Sequence, residues 1–216
     1  MVKKKRKPET PIGLNKILTP TEEKRFKDYL VSVQNDPDGV KRLLIFDIML
    51  NTGLRVSELC KLRVKDTPKY QGGNVIQIHR GKGQKTRNIP VSDRIRRNIN
   101  IYIKVYRPAT LPGHIRPSDS RRQLFFSRTK KRYNRRSVAY LISQLGKKAG
   151  IAKHLTPHMC RHTFATRLLV DRKVTLAELQ MLLGHSKISS TQKYLHVIDL
   201  LNPTVANAID GGGGVL

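Results

Sequence analysis

The sequence predicts a mainly α-helical fold with a small antiparallel β-sheet, an α+β domain. Apolar residues between Val138 and Ala149 recur at the i, i+3, i+4 spacing of one buried helix face. The segment 40–51 is apolar on nearly every side, which is typical of a central buried helix. Two short runs, 75–78 and 86–91, have the composition of paired strands joined by a turn.

The first helix should begin at Thr19, because the letters T-P-T-E there match a capping box with proline at the first helical position. We expect it to continue to about Gln34. Gly53 is placed to end the central helix, and a short helical turn should follow over 56–62. The segment G-K-G-Q-K joins the two strands.

The second half of the chain should be helical apart from one loop and one short strand. A loop rich in Pro, Gly and Arg precedes Arg122, and we expect residues 124–126 to add a short strand. Glycines at 150 and 184 are placed to end two of the helices. The predicted helices cover 92–106, 135–149, 157–171, 176–183 and 189–195.

The chain is strongly basic, with 43 Lys and Arg residues against 15 Asp and Glu and a formal net charge of +28. Between Ser120 and Val170 there are 13 Lys or Arg and no acidic residue. Such a field attracts polyanions, and among these we expect a nucleic acid as the partner. No apolar run has the length of a membrane span, and we expect no membrane partner. Cys60 and Cys160 lack the spacing of a zinc cluster or a disulfide framework.

The N-terminal segment 1–18 has a composition that does not bury a core. We expect it to be a flexible basic arm that touches phosphates, although such a run would also suit a nuclear-import signal. The ordered domain should span 19–200, followed by a tail over 201–216. The basic residues of the arm are Lys3, Lys4, Lys5, Arg6 and Lys7.

A phosphodiester can be cleaved by metal-activated water or by a side-chain nucleophile. Two-metal cleavage needs several converging carboxylates, whereas the stretch around His158 and Arg161 contains no acid. His158 and His162 have the i, i+4 spacing of a zinc-binding helix but lack the glutamate of that motif. We therefore expect no metal site.

Cleavage without a metal needs cations around the phosphate, a nucleophile and an acid. His158 and Arg161 share one face of a predicted helix and could reach the same anion, although such a pair would also suit surface charge. His185 follows a helix-ending glycine, and Tyr194 lies nine residues further on. Tyr194 could be a nucleophile or a core residue, because a phenol with a pKa of about 10 needs neighbouring cations to become reactive.

Three residues of the N-terminal half could complete such a site. Arg55 closely follows the buried helix, where an unpaired guanidinium would be costly. Glu58 could be its structural partner, and a DNA phosphate its functional one. Lys82, between glycines at the hairpin tip, could enter a groove of DNA or be a solvated turn residue.

These motifs occur in the order T-G-L-R-V-S-E-L, G-K-G, H-M-C-R-H-T-F-A-T, L-L-G-H-S and K-Y. In this order and combination the chain resembles the catalytic domain of the tyrosine recombinase (phage integrase) family over about residues 19–200. The resemblance implies the DNA breaking-rejoining fold of that family. It also implies site-specific recombination (integration, excision or resolution) without metal or nucleotide cofactor.

The resemblance implies a role for each matching residue. Tyr194 would attack the scissile phosphate and form a 3′-phosphotyrosyl link, with Arg55 and Arg161 holding the non-bridging oxygens. Lys82 would protonate the leaving 5′-oxygen, and His158 would serve as acid and base to the tyrosine. His185 would hydrogen-bond a phosphate oxygen. His162 and Glu58 are expected to give structural support.

Members of this family usually carry a separate N-terminal core-binding domain, which we expect to be absent, with the basic arm in its place. The chain would then be a catalytic fragment, a natural minimal recombinase, or a protein that borrows its other half. Family members associate on DNA as dimers or tetramers, and the C-terminal tail could dock on a neighbouring subunit. We expect a cytoplasmic, nucleoid-associated protein.

Two other functions are compatible with these residues. A type IB topoisomerase uses a similar constellation to relax DNA, and a non-catalytic accessory protein would need only the basic charge. Both alternatives share DNA as the ligand. Besides the arm, the residues expected to bind DNA are Lys85, Arg87, Lys130, Lys131, Arg132, Arg135 and Arg136.

Overall fold

The computed structural model describes residues 13–71, 73–79, 86–171 and 173–195. Within these ranges the protein is mostly helical with one pair of antiparallel strands, which confirms the predicted fold class. The elements in chain order are α1 (Pro20–Ser32), α2 (Pro37–Thr52), α3 (Val56–Lys61), α4 (Pro68–Gln71), β1 (Val75–Ile78), β2 (Arg87–Pro90), α5 (Asp93–Ile101), α6 (Arg107–Thr110), α7 (Arg135–Lys148), α8 (Pro157–Val170), α9 (Leu176–Leu183) and α10 (Ser189–Gln192).

The predicted capping box starts α1. The Thr19 hydroxyl accepts from the Glu22 backbone N–H at 3.2 Å, and the Glu22 carboxylate accepts from the Thr19 N–H at 2.9 Å. The helix ends at Ser32, two residues before the expected end. Helix α2 begins three residues earlier than predicted, because Asp36 caps it by accepting from the Gly39 N–H at 2.6 Å.

The strand pair has the predicted order and direction. Val75 pairs with Pro90 and Ile78 with Arg87, so that Ile76 and Ile89 face each other in the core. Strand β2 is shorter by one residue at each end than expected. The connection over 80–85 lies outside the described residues.

Three further predictions differ from the structure in extent or kind. The helix expected over 92–106 continues through a π-helical turn at Tyr102–Tyr106 into α6. The strand expected over 124–126 is absent from the described structure, which has only two isolated bridges in this region, Arg63 with Gln123 and Phe126 with Arg132. The helix expected over 189–195 ends at Gln192.

Two hydrophobic clusters flank helix α8. The main core surrounds α2, which buries Leu44, Ile45 and Met49 and packs along α8. A smaller cluster joins α8 to α9 and α10 through Phe164 and Tyr194, among others. Because α8 lies between the two clusters, its polar residues are held between the ends of α2 and α9. Among the described residues, no helix is long and apolar enough to cross a membrane.

Candidate active site

Helices α2 and α9 both end in a glycine with left-handed backbone conformation. Gly53 (φ 60°) follows α2, and Gly184 (φ 63°) follows α9. A Cβ at position 53 would lie 2.5 Å from the Phe164 ring, so this position needs glycine for space as well as for conformation. Helices that end in this way leave carbonyl oxygens free to accept from side chains.

Arg161, on α8, joins the two helix ends. Its Nη1 donates to the Gly53 carbonyl at 2.5 Å, and its Nη2 donates to the Leu183 carbonyl at 2.9 Å. The residue is only 5% exposed. Burial and the nearby charge of Arg55 lower the pKa of Arg161 to about 10, so the guanidinium stays protonated at neutral pH.

Arg55 and Arg87 share one carboxylate, that of Glu58. The Arg55 guanidinium donates to Glu58 at 3.3 Å and to the Gly184 carbonyl at 3.2 Å. Arg87 donates to both Glu58 oxygens, at 2.7 and 2.9 Å, and to the Leu182 carbonyl at 3.1 Å. Burial would raise the pKa of the Glu58 carboxyl, but the hydrogen bonds and charge of Arg87 outweigh it and hold this pKa below its usual value. One carboxylate thus fixes two cations.

A cleft of about 600 Å³ lies next to these arginines. It is lined by Arg55, which precedes α3, by Lys61 at the end of α3 and by His79 beyond the end of β1. Gly184 and Ser186, after α9, line it as well. The side chain of Arg55 is 38% exposed, so it is accessible to an anion in the cleft. The cleft can accommodate a phosphate group with a cation on its wall.

His185 is held at both of its ring nitrogens. Its Nε2 lies 2.9 Å from Nη2 of Arg161, and its Nδ1 lies 2.9 Å from the hydroxyl of Thr191 on α10. Burial and the charges of Arg161 and Arg55 lower the pKa of His185 to about 3. The imidazole is therefore neutral at physiological pH.

Tyr194 is buried in the smaller hydrophobic cluster, with 1% exposure. Its hydroxyl forms a hydrogen bond with Nδ1 of His162 at 3.0 Å. Burial and the charge of Lys193 lower the pKa of His162 to about 4. The His158 ring lies 6.3 Å from the His162 ring, and burial and Arg161 lower its pKa as well. The sequence predicted only a supporting role for His162 and not this contact with the phenol.

The basic residues before and at the start of α7 are all exposed: Lys130, Lys131, Arg132, Arg135 and Arg136. The ammonium group of Lys130 donates to the carbonyls of Ala109 and Leu111, at 2.8 and 2.9 Å. Arg87, by contrast, has a side chain only 10% exposed and is paired with Glu58. DNA contact by these residues stays a prediction, and the position of Arg87 gives it a supporting contact inside the protein.

Several predicted site residues lie outside the described part of the chain. They are Lys82, expected as the acid for the leaving group, and the expected DNA-binding residues Lys85, Lys3, Lys4, Lys5, Arg6 and Lys7. The hairpin connection that carries Lys82 begins directly after His79, which lines the cleft.

Comparisons with known proteins find relatives in both sequence and fold. The model of the phage integrase family matches residues 16–200. The tyrosine recombinase XerC of Bacillus subtilis (strain 168) is 34% identical over 199 residues, which are 88% of this chain and 62% of that protein. The chain thus spans less than two thirds of this relative's length.

Two solved structures are similar in fold and in sequence. The crystal structure of XerA recombinase superposes with a TM-score of 0.71 and 28% identity, covering 94% of this chain and 65% of that one. The Tn1549 transposon integrase in complex with transposon right end DNA gives a TM-score of 0.68 and 27% identity, covering 85% of this chain and 62% of that one.

The fold is that of a tyrosine recombinase catalytic domain, as the resemblance implied. The chain belongs to the phage integrase family. These relatives are recombinases and integrases, so they favour neither the topoisomerase nor the accessory-protein alternative.

Two parts of the site were not predicted from the sequence. Thr191 contacts His185, but a threonine three residues before Tyr194 has no distinguishing local signal. The carbonyl oxygens at the ends of α2 and α9 bind the arginines, and only the two glycines mark those ends in the sequence.

Proposed function

We propose that this protein is a site-specific DNA recombinase that cleaves and rejoins strands through a covalent link to Tyr194. The observation that carries the proposal is the convergence of Arg55, Arg161 and His185 at the ends of two helices. Tyr194 follows the short helix that also contacts His185. Membership of the phage integrase family supports the same activity.

The reaction needs no cofactor when side chains supply the charges. Arg55 and Arg161 bind the two non-bridging oxygens of the scissile phosphate and stabilise the charge that develops on them. The phenol oxygen of Tyr194 forms a bond to phosphorus while its proton passes to His158. The bond from phosphorus to the 5′-oxygen breaks, and Lys82 protonates that oxygen. The phosphotyrosyl ester conserves the bond energy, so the reverse steps join a new 5′-hydroxyl.

The described conformation is a resting state of this site. Tyr194 is 1% exposed and bonded to His162, so a phosphate in the cleft cannot reach its hydroxyl. Attack therefore requires the segment that carries Tyr194 to leave the smaller hydrophobic cluster. We infer that DNA binding drives this movement, because the free energy of phosphate contacts is available only in the complex.

We propose double-stranded DNA as the partner. The net charge of +28 and the exposed basic residues near α7 support this assignment. The solved complex of the Tn1549 integrase with transposon DNA shows that a relative with this fold binds DNA. We also propose self-association on DNA in a nucleoid-associated, cytoplasmic setting.

For the organisation of the chain we propose a catalytic domain over residues 19–200. The segment 1–18 was expected to be a basic arm, but Ile17 and Leu18 are buried in the hydrophobic clusters and so belong to the domain. The arm that contacts phosphates would lie before them, and the segment 201–216 would dock on a neighbouring subunit. This organisation agrees with the family match over residues 16–200.

A covalent trapping experiment with a mixed pool of duplexes tests the proposed activity whatever the sequence of the DNA site. Nicked duplexes with randomised arms, labelled at the 5′ end of the cleaved strand, are incubated with the full chain. The nick lets the short fragment with its 5′-hydroxyl diffuse away, so the covalent adduct accumulates and the trapped strands can be sequenced. We expect an adduct that Tyr194→Phe abolishes while DNA binding is kept. The absence of any wild-type adduct would refute the activity.

A further inference from the structure

The hydroxyl of Thr191 contacts the imidazole of His185 from the side opposite Arg161. Its Oγ1 lies 2.9 Å from Nδ1, and the residue is fully buried. Thr191 lies on α10, three residues before Tyr194. A single side chain therefore connects the histidine of the phosphate site with the helix next to the nucleophile.

The contacts of His185 define its tautomer in the free protein. A guanidinium only donates hydrogen bonds, so Nε2 must accept from Nη2 of Arg161. The neutral ring then carries its proton on Nδ1, which donates to the hydroxyl of Thr191. Burial and the charges of Arg161 and Arg55, which lower the pKa of His185 to about 3, keep the ring neutral.

A bound phosphate requires the opposite tautomer. Phosphodiester oxygens only accept hydrogen bonds, so Nε2 of His185 must carry a proton in order to donate to one. One proton leaves Nδ1 for water and another is taken up at Nε2, so the ring stays neutral. Nδ1 then presents a lone pair, and a buried acceptor without a donor is costly.

A hydroxyl group can satisfy Nδ1 in both states, because it accepts and donates and its hydrogen rotates freely. We propose that Thr191 is the positioning residue that lets His185 change tautomer, accepting from Nδ1 in the free protein and donating to Nδ1 when Nε2 binds the scissile phosphate. The phosphate half of this proposal rests on the proposed function. The free-state half rests on the contacts alone.

The first test observes the tautomer directly. Full-length protein labelled with ¹⁵N-histidine is studied by NMR, and His185→Gln identifies the signals of this ring. The probe is dimethyl phosphate, a phosphodiester monoanion with two non-bridging oxygens. We expect a proton on Nδ1 in the free protein and on Nε2 with the probe. A proton on Nε2 in the free protein, an unchanged ring with the probe, or a doubly protonated ring would overturn the proposal.

The second test removes the hydroxyl while keeping the shape of the side chain. Thr191→Val should form the covalent adduct roughly tenfold to a hundredfold more slowly, and it should lose the probe-induced change of tautomer. Thr191→Ser should restore most of the rate. The matched control is Thr166→Val on α8, since the buried hydroxyl of Thr166 has no hydrogen-bond partner among the described residues.

The outcomes separate this proposal from the proposed function. Adduct formation by Thr191→Val at the wild-type rate, or by Thr191→Ser as slowly as by Thr191→Val, would overturn the role of Thr191. If the wild type forms no adduct with any duplex, the proposed function fails. In that case the NMR comparison of wild type and Thr191→Val, each with and without dimethyl phosphate, still decides the proposal for Thr191.

Discussion

The site has two ends that are built differently. The arginine end consists of Arg55, Arg87 and Arg161, each held by backbone carbonyls at the helix ends. The tyrosine end consists of His162 and Tyr194, which are bonded to each other inside a hydrophobic cluster. The first is fixed by hydrogen bonds and presents Arg55 to the cleft, whereas the second is packed like a core.

Because of this difference, phosphate binding depends on the arginine end, whereas cleavage also requires a movement of the tyrosine end. Cations that are already in place cost no reorganisation when charge develops on a phosphate. A buried nucleophile, in contrast, must first give up its packing and its hydrogen bond, so the rate of cleavage depends on a movement of the tyrosine end. We expect substitutions at the arginine end to affect the chemical step and those at the tyrosine end to affect the resting state.

The largest effect is expected for Arg161→Lys. Two different nitrogens of the Arg161 guanidinium bind the carbonyls of Gly53 and Leu183, and the single nitrogen of a lysine lacks the planar fork that spans them. The rate of adduct formation should fall by roughly a hundredfold to a thousandfold. Gel assays of the covalent adduct with the duplex pool measure this rate.

The matched control is Arg167→Lys on the same helix. Arg167 donates to the Leu50 carbonyl, to Asn51 and to Glu23, so it also binds the end of α2. Arg161, by contrast, also contacts His185 and the end of α9. This variant should lose stability and keep its rate. An equal loss of rate in both variants would show that Arg161 acts only through the fold.

A smaller effect is expected for Glu58→Gln. The amide cannot hold Arg55 and Arg87 as the carboxylate does, so the free energy of unfolding should fall by about 2–3 kcal/mol. Adduct formation should slow by roughly tenfold, because Arg55 is less well positioned. Urea unfolding and the adduct assay measure the two effects. Glu178→Gln, which changes an exposed capping carboxylate at the start of α9, should leave the rate unchanged.

The smallest effect concerns pH and tests the tyrosine end. His158, His162 and His185 all have a lowered pKa, about 4 for His162 and about 3 for His185. In the unfolded chain they bind protons as the pH falls through about 6.5. In the folded protein His162 and His185 stay neutral well below that pH, and the lowered pKa of His158 delays its protonation as well. Stability should therefore be full above about pH 6.5 and decrease as the pH falls from there towards about pH 4.

Urea unfolding between about pH 7 and about pH 5 measures this loss while most carboxylates stay charged. His162→Gln should show a weaker pH dependence, because one of the three contributions is removed. His114→Gln, a change of an exposed histidine outside the site, should keep the wild-type dependence. If the free energy of unfolding changed equally with pH in the wild type and in both variants, the lowered pKa of His162 would not contribute to the loss of stability.

The fold could be predicted where local signals are strong. Glycine after an apolar run located the ends of α2 and α9, and the T-P-T-E capping box located the start of α1. The expected strand over 124–126 failed because three apolar residues have no local partner strand, and the chain only makes isolated bridges there.

The sequence pointed to most of the residues of the candidate site but not to the contacts that these residues make with each other. Motif order identified Arg55, Arg161, His185 and Tyr194, yet no pattern distinguishes a tyrosine facing the cleft from one in a hydrophobic cluster. Arg87 was assigned to DNA by its charge. Its pairing with Glu58, 29 positions away in the chain, depends on tertiary packing that local sequence does not contain.

The left-handed glycine ends of α2 and α9 have a consequence for the sign of the electric field. The C-terminal end of a helix carries a partial negative charge, and two such ends converge here. Without the arginines, the two helix ends would make the local potential here negative. The guanidinium groups of Arg55, Arg87 and Arg161 make the local potential positive. Loss of one arginine therefore removes a positive charge and also leaves the partial negative charge of a helix end without compensation. We therefore expect anion affinity to fall more steeply than the count of charges alone would suggest.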